Sequence, residues 1–271
     1  MLNKIKELAG ESLLYGLSGI ITRFLSFFLI PIYTRIFDPS DYGIINLVNT
    51  CFMFINILVG LGLDNSAGVW YWDKQSDLER MKTFSSWFWF QLLLSVVAGV
   101  LLVAFSAPLG HYILKSNSYS MLIILAAANL PFTTFTIVLN TWLRTTRKAT
   151  AAMAFTLFNG LFVICLNILF VVYLRIGLKG IFLSQLIASG ANTLIVLYVF
   201  NKEINPSFFC RQRVKEMLRF ALPLIPATIS FWLLNSAGSL IINRYTTTAE
   251  VGLYQLGSSI AAVCNIIFWA F

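Results

Sequence analysis

One arginine, Arg23, stands near the middle of the first long apolar segment of the chain, which runs from Ser12 to Tyr33. A charge at the centre of a membrane-spanning helix costs roughly 2.5–3.5 kcal/mol, and from that depth the side chain does not easily reach either membrane surface. Large apolar side chains fill one face of this helix, and Arg23 shares the other with small and polar residues, namely Ser12, Gly16, Gly19 and Ser26. Arg23 is therefore the first candidate for chemistry inside a membrane.

The face that contains Arg23 has two interpretations. In the first, its small residues let a neighbouring helix pack closely, and backbone carbonyl groups or another side chain neutralise the arginine. In the second, the face lines a water-filled cavity, where a guanidinium group binds an anion through two parallel hydrogen bonds. We take the second as the working hypothesis, and the nature of the anion has to come from other parts of the sequence.

Asparagines form a stripe on the second apolar segment. Asn46, Asn49 and Asn56 are spaced by three and seven residues, which places them on one helical face. Asn235 belongs to a similar stripe around Trp232 in a later segment. One asparagine usually forms an interhelical hydrogen bond worth about 0.6 kcal/mol. Several stripes instead favour a hydrated lumen, because amides bind sugar hydroxyls and an indole ring stacks on a sugar.

Composition places the whole chain in a membrane. Its 271 residues are 58% hydrophobic and 11% charged, and the mean hydropathy is +0.81, far from the composition of soluble domains. The formal net charge of +8 lies in short segments between apolar runs, so it does not predict nucleic-acid binding. The four cysteines are far apart and the single histidine, His111, has no catalytic partner nearby in sequence. We therefore expect no metal, no cofactor and no enzymatic activity.

About eight apolar segments are long enough to be membrane-spanning helices. The sequence predicts an all-α polytopic bundle with helices at Ser12–Tyr33, Gly43–Leu63, Thr83–Ala107, Ser120–Thr141, Ala151–Tyr173, Leu178–Phe200, Phe220–Ile242 and Val251–Phe271. Most Lys and Arg residues precede the first segment or follow the second, fourth and sixth. Since cytoplasmic loops collect basic residues, the N-terminus is predicted to be cytoplasmic.

The chain contains an internal repeat. A shift of 209 positions lays Arg35 on Arg244, Gly43 on Gly252, and Asn46 on Gln255. Such duplication is common in transporters, and an even number of helices between copies predicts halves of the same orientation. We therefore expect a first lobe of six helices in residues 1–200, a basic cytoplasmic linker in 201–219, and the first two helices of an incomplete second lobe in 220–271.

Three segments carry a resemblance to a known family. They are IPIYTRIFDPSDYGIINLV from the end of the first span, GLDNSAGVWYW closing the second, and RFALPLIPATISFWLLNSAGSLIINRYTTTAEVGLYQLG opening the repeat. The chain resembles the polysaccharide-exporter branch of the multidrug/oligosaccharidyl-lipid/polysaccharide superfamily, the Wzx-type flippases of O-antigen and capsule repeat units. The resemblance is strongest in the turn from Arg35 to Gly43 and in its repeat from Arg244 to Gly252.

The resemblance implies two six-helix bundles around a central cavity in the bacterial cytoplasmic (inner) membrane. Proteins of this kind move undecaprenyl-pyrophosphate-linked oligosaccharides between leaflets by alternating access, in lipopolysaccharide or capsule biosynthesis. Arg23 would then bind the lipid pyrophosphate. The sugar path would be lined by Asn46, Asn49, Asn56 and Asn235. A polysaccharide polymerase and chain-length machinery are the implied protein partners.

Three alternatives remain. A cation-coupled multidrug exporter of the same superfamily usually needs a carboxylate inside the membrane, and here Asp64, at the end of a predicted span, comes closest. A membrane glycosyltransferase or polymerase would be expected to have a large outer loop with acidic or arginine motifs, which is not seen. A non-transporting membrane fragment is the third, because the family's bundles are longer than this chain.

Overall fold

The computed structural model describes residues 21, 30–73, 76–200 and 204–270. Within those ranges the chain is almost entirely helical and contains no β-strand. Six helical segments of the described residues are long and apolar enough to cross a membrane. The protein is a polytopic α-helical membrane protein, which confirms the fold class predicted from composition.

The helices are numbered here in chain order over the described residues. They are α1 (Pro39–Gly60), α2 (Leu63–Asp73), α3 (Asp77–Ala104), α4 (Ser106–Leu114), α5 (Ser120–Thr145), α6 (Ala149–Asn167), α7 (Leu178–Val199), α8 (Arg211–Ala221), α9 (Ile225–Tyr245) and α10 (Thr248–Ala270). A π-helical segment, Ile168–Tyr173, extends α6. The helix predicted at Ser12–Tyr33 lies mostly outside the described residues, although Tyr33 does end a helical turn.

The second predicted span, Gly43–Leu63, begins earlier than the sequence indicates and continues through a break at Leu61 and Gly62 as far as Asp73. Its helix α1 begins at Pro39 rather than Gly43, because proline is favoured in the first turn of a helix, where its missing N–H costs nothing. The Asp41 carboxylate accepts a hydrogen bond from the Asp38 N–H at 3.4 Å, which helps to fix this start. Leu61 and Gly62 adopt left-handed backbone conformations with φ of 48° and 68°, after which α2 continues the path.

The described part of the predicted linker is attached to the first lobe. Backbone carbonyls of Ile204 and Asn205 accept hydrogen bonds from Trp89 and Ser85 of α3, each at 2.8 Å. Helix α8 follows and buries Met217 and Ala221 completely against α2 and α3. The next helix, α9, begins at Ile225, five residues later than the Phe220 predicted from hydropathy.

An aromatic cluster holds the first lobe together. The Phe84 and Trp142 rings, on α3 and α5, lie 4.2 Å apart between centroids, and those of Phe88 and Phe135 lie 4.9 Å apart. Phe84, Phe88 and the neighbouring Trp87 are fully buried. Aromatic pairs contribute about 0.5–1.5 kcal/mol beyond the area they bury. Helices α3 and α5, with α7 packed on α5, therefore form a rigid body from which the other helices are positioned.

Helices α9 and α10 contact the preceding helices chiefly through α1. Helix α10 lies along α1 in the most extensive helix–helix contact of the described structure, and α9 also packs on α1. Large apolar side chains on the other sides of α9 are open, with Leu234 86% and Tyr245 84% exposed. Helices α9 and α10 are thus held to the rest of the chain mainly through α1.

Candidate functional site

The interface between α1 and the α9–α10 pair contains the polar stripe of α1. Asn46 donates a hydrogen bond through Nδ2 to Oε1 of Gln255 on α10, at 2.5 Å. Further along α1, the Met53 sulfur accepts a weak hydrogen bond from the Ser236 hydroxyl of α9, at 3.9 Å. Asn46 and Met53 therefore face the second pair of helices.

The other predicted sugar-binding residues do not converge with Asn46. Asn56 donates to the Phe52 carbonyl of its own helix at 2.9 Å, and Asn235 donates to the Phe231 carbonyl at 2.8 Å. Asn49 is half-buried, whereas Asn235 is exposed. Arg23 lies outside the described residues. The structure thus places Asn46 at the interhelical contact, and the binding roles of all five residues stay predictions.

A reciprocal set of hydrogen bonds closes one end of this interface. Lys115, just after α4, donates through Nζ to the carbonyl oxygens of Asn243 and Thr246 at the end of α9, at 2.7 and 2.9 Å. Asn243 in turn donates through Nδ2 to the Ile113 carbonyl, at 2.8 Å. A cation near the C-terminus of a helix is favourable because the last carbonyl groups have no partner within the helix. We call this set the Lys115 latch.

Burial along α9 shows that the opposite end is less closed. On the face turned toward α1, Ile225 and Ile229 are half-buried, whereas Trp232, Ser239 and Asn243 are buried. Helix α9 is therefore packed tightly toward the Lys115 latch and loosely toward α8. The two ends of the interface therefore differ in packing, and we call the region between α1 and α9 the cleft.

An apolar cavity of about 220 Å³ lies beside this interface. It is enclosed by residues of α1, of the α3–α4–α5 region and of α9, including Phe52, Phe54, Ile113, Ile123 and Trp232. Trp232 packs on Phe54 with ring centroids 4.7 Å apart, and its indole N–H is buried with no hydrogen-bond partner among the described residues. Because its lining is almost entirely apolar, the cavity is suited to hydrocarbon.

The predicted helix cores contain no carboxylate, but the structure buries one carboxylate oxygen of Asp64. Asp64 lies in the first turn of α2, and the Gln91 side chain of α3 interacts with its carboxyl group. Asp64 Oδ1 and Gln91 Oε1 are both buried without a hydrogen-bond partner in the described part of the chain. The sequence does contain a signal, because Asp64 comes two residues after Gly62 at the end of an apolar run. Hydropathy alone does not show that α2 continues the span beyond it.

These features together define a multi-pass membrane protein with a helical lobe, a second helix pair docked across a polar face, and a cleft between them. The sequence pattern of the family described as "Polysaccharide biosynthesis protein" matches residues 32–268. The chain belongs to that family, which confirms the resemblance drawn from the Arg35–Gly43 turn and its repeat.

Two known proteins show how far the similarity extends. The chain is 22% identical over 246 residues to the "Succinoglycan biosynthesis transport protein ExoT" of Rhizobium meliloti (strain 1021), covering 89% of this chain and 47% of that protein. It thus spans about half the length of this curated relative. A solved structure of the MATE multidrug transporter DinF-BH superposes with a TM-score of 0.84 at 18% identity, covering 98% of this chain and 63% of that one. At this identity the likeness establishes a shared fold.

Proposed function

We propose that the protein moves a lipid-linked oligosaccharide repeat unit across the bacterial cytoplasmic membrane by alternating access. The family and the curated relative, whose name describes polysaccharide transport, support this substrate class. The observation that carries the proposal is the Lys115 latch, which closes one end of the cleft while the α8 end is packed loosely. Alternating access requires an asymmetry of this kind between two conformations.

The energies of the latch suit a reversible closure. A neutral hydrogen bond contributes about 0.5–1.5 kcal/mol, and one from a charged donor about 1.5–3 kcal/mol. The contacts from Lys115 and Asn243 therefore sum to a few kcal/mol. A substrate that binds one conformation more tightly by a similar amount can shift the equilibrium between closed and open forms.

The predicted topology assigns the two ends to the two sides of the membrane. Basic residues concentrate at the end that contains Arg147 and Arg211, which the positive-inside rule places in the cytoplasm. The Lys115 latch is then on the outer side, and the cleft receives its substrate from the cytoplasmic leaflet. The N-terminus is cytoplasmic in this arrangement, and a polysaccharide polymerase with its chain-length machinery would act on the outer side.

Within this mechanism Arg23 binds the pyrophosphate group of the lipid carrier. Asn46, Asn49, Asn56 and Asn235 line the path of the glycan. The amide of Asn46 is held by Gln255 in the closed form, so opening the α1–α10 contact would free it for a sugar hydroxyl. The apolar cavity beside Trp232 offers room for part of the hydrocarbon.

The test is export of lipid-linked repeat units in a strain that lacks its own flippase. Arg23→Ala should abolish export, and Arg23→Lys should restore it in part at best, since a lysine lacks the planar fork that holds two phosphate oxygens. Membrane abundance of each variant is measured by immunoblot. Normal export by Arg23→Leu at normal abundance would show that Arg23 has a packing role and would remove the anion site from the proposal.

A cation-coupled multidrug exporter is the second candidate, favoured by the buried carboxylate oxygen of Asp64. Carboxylates inside a membrane usually bind a proton or a cation during transport. Resistance to cationic drugs on expression, lost in Asp64→Asn, would support this function. If expression of the wild type leaves drug susceptibility unchanged and restores polysaccharide export, the flippase is supported.

A further inference from the structure

A second cavity, of about 740 Å³, lies between α3 and the docked helix α8. Part of its lining is apolar and comes from Phe90, Phe209, Val214 and Leu218. The rest comes from Arg211, Gln212 and Lys215 in the first turns of α8. The cavity therefore combines hydrocarbon-compatible and cationic groups, and it lies apart from the cleft between α1 and α9.

The two cations at this cavity are not compensated by nearby acids. Arg211 and Lys215 are exposed, lie one turn apart on α8, and have no ion-pair partner among the residues that the structure describes. Glu216 is already engaged by Arg213 at 3.2 Å. Glu79 is engaged by Lys82 at 2.8 Å and also by Arg213. The cavity lining thus presents two positive charges that no carboxylate of the described residues neutralises.

The cavity lies near one end of a candidate membrane span. Helix α3 is a candidate membrane span, and α8 packs near its N-terminal end, where the Cys210 N–H donates to the Ser86 hydroxyl at 2.8 Å. Tryptophans surround this region, with Trp89 on α3 and Trp70 on α2, as expected at the level of lipid headgroups. Phe209 is 45% exposed beside the cations. A ligand here would meet charge and hydrocarbon at the same time.

We infer that this cavity, which we call the α8 lipid site, binds one anionic phospholipid of the surrounding leaflet. Arg211 and Lys215 hold the phosphate headgroup, and an acyl chain lies on Phe90 and Leu218. A zwitterionic lipid fits less well, because its own cation faces two uncompensated positive charges. The bound lipid fastens α8 to α3, and α8 leads directly into α9, so the lipid stabilises the connection between the first lobe and the second helix pair.

The experiment measures lipid binding to the purified protein in neutral detergent by native mass spectrometry. Phosphatidylglycerol and phosphatidylcholine of identical acyl chains are the probes. The wild type should bind phosphatidylglycerol with clear preference, and the double variant Arg211→Gln/Lys215→Gln should bind it roughly 10–30-fold more weakly. The matched control, Arg244→Gln/Lys179→Gln, removes the same charge at exposed positions away from the cavity and should bind as the wild type does.

Several outcomes would overturn the assignment. One is equal binding of the two lipids by the wild type, and another is an equal loss of phosphatidylglycerol binding in the control variant. A third is full displacement of phosphatidylglycerol by inorganic phosphate, which would mean that the apolar residues of the cavity contribute nothing. Binding of undecaprenyl phosphate in place of phosphatidylglycerol would assign the cavity to the transported lipid instead. If the double variant does not fold, amide hydrogen exchange in α8 of the wild type is measured instead. Phosphatidylglycerol should slow this exchange at least several-fold relative to phosphatidylcholine. Equal exchange rates in the two lipids would contradict the site.

Discussion

Gly43 of α1 and Gly252 of α10 face each other at the closest approach of the two helices. A β-carbon on Gly43 would lie 1.8 Å from the Thr248 carbonyl oxygen, and one on Gly252 would lie 1.9 Å from that of Pro39. The same separation of 209 residues, which is that of the internal repeat, relates Gly43 to Gly252, Pro39 to Thr248 and Asn46 to Gln255. The contact is thus nearly symmetric, and it supports the proposal of two repeated lobes.

Substituting either glycine should force the two helices apart. Gly43→Ala and Gly252→Ala each place a methyl group against backbone, which cannot move as a flexible side chain can, and overpacking of this kind costs about 1–3 kcal/mol. We expect a lower unfolding temperature in detergent and loss of disulfide formation between cysteines introduced at Asn46 and Gln255. Gly257→Ala, on the same helix but with nothing within 4 Å, is the control. Equal behaviour of Gly257→Ala and Gly252→Ala would contradict the close approach.

The existence of the helices follows from the sequence, whereas several of their ends do not. Apolar runs of sufficient length predict the spans, yet Pro39, whose position suggests the end of a segment, in fact opens α1. Hydropathy does not predict α2, because the polar residues Asp64, Asn65, Ser66 and Asp73 lower its value. Helix α2 forms since α8 packs on it and buries Leu63 and Ala67, a tertiary effect that no local pattern contains.

The topology prediction can be tested by labelling single cysteines in intact cells. Lys115 and Arg147 themselves make contacts, so the exposed neighbours Ser118 and Lys148 are better positions for the label. In a background without the four native cysteines, an impermeant thiol reagent should label Ser118→Cys from outside and Lys148→Cys only after the membrane is opened. The reverse pattern would invert the assignment of the Lys115 latch to the outer side.

The Lys115 latch should control how often the outer end opens. Lys115→Met keeps the length of the side chain but removes the charged donor, which weakens closure by about 1.5–3 kcal/mol. Spin labels at the exposed positions Tyr112 and Tyr245 should then report a larger population of long distances by pulsed electron resonance. Lys179→Met, at an exposed lysine with no hydrogen bond or ion pair among the described residues, serves as the control. An unchanged distance distribution would mean that other contacts hold this end closed.

The site is harder to predict than the fold, for a physical reason. A stripe of asparagines predicts a polar face, but each amide can bond to a carbonyl one turn earlier on its own helix, as Asn56 and Asn235 do. Asn46 instead reaches across to another helix, and its partner Gln255 is the residue that the internal repeat aligns with it. Sequence periodicity thus predicts a shared face, whereas the choice between local and interhelical bonds depends on which helix lies opposite.

Asp64 offers a last test, in which stability and transport should change in opposite directions. Its Oδ1 is buried without a hydrogen-bond partner in the described structure, and leaving a buried acceptor unsatisfied costs on the order of 1–3 kcal/mol, more when it is charged. Asp64→Asn removes the charge and keeps the shape, so the purified variant should unfold at a higher temperature than the wild type. Glu250→Gln, at an exposed position on α10, should leave the unfolding temperature unchanged.

Transport should suffer from the same substitution, because a buried carboxylate that costs stability is retained when function requires it. Export or drug resistance by Asp64→Asn is therefore expected to fall at least tenfold at equal membrane abundance, while Glu250→Gln remains active. The two measurements together are decisive. A variant that is less stable than the wild type and fully active would show that the contact of the Asp64 carboxyl group with Gln91 outweighs the cost of burying its charge, and that Asp64 takes no part in transport.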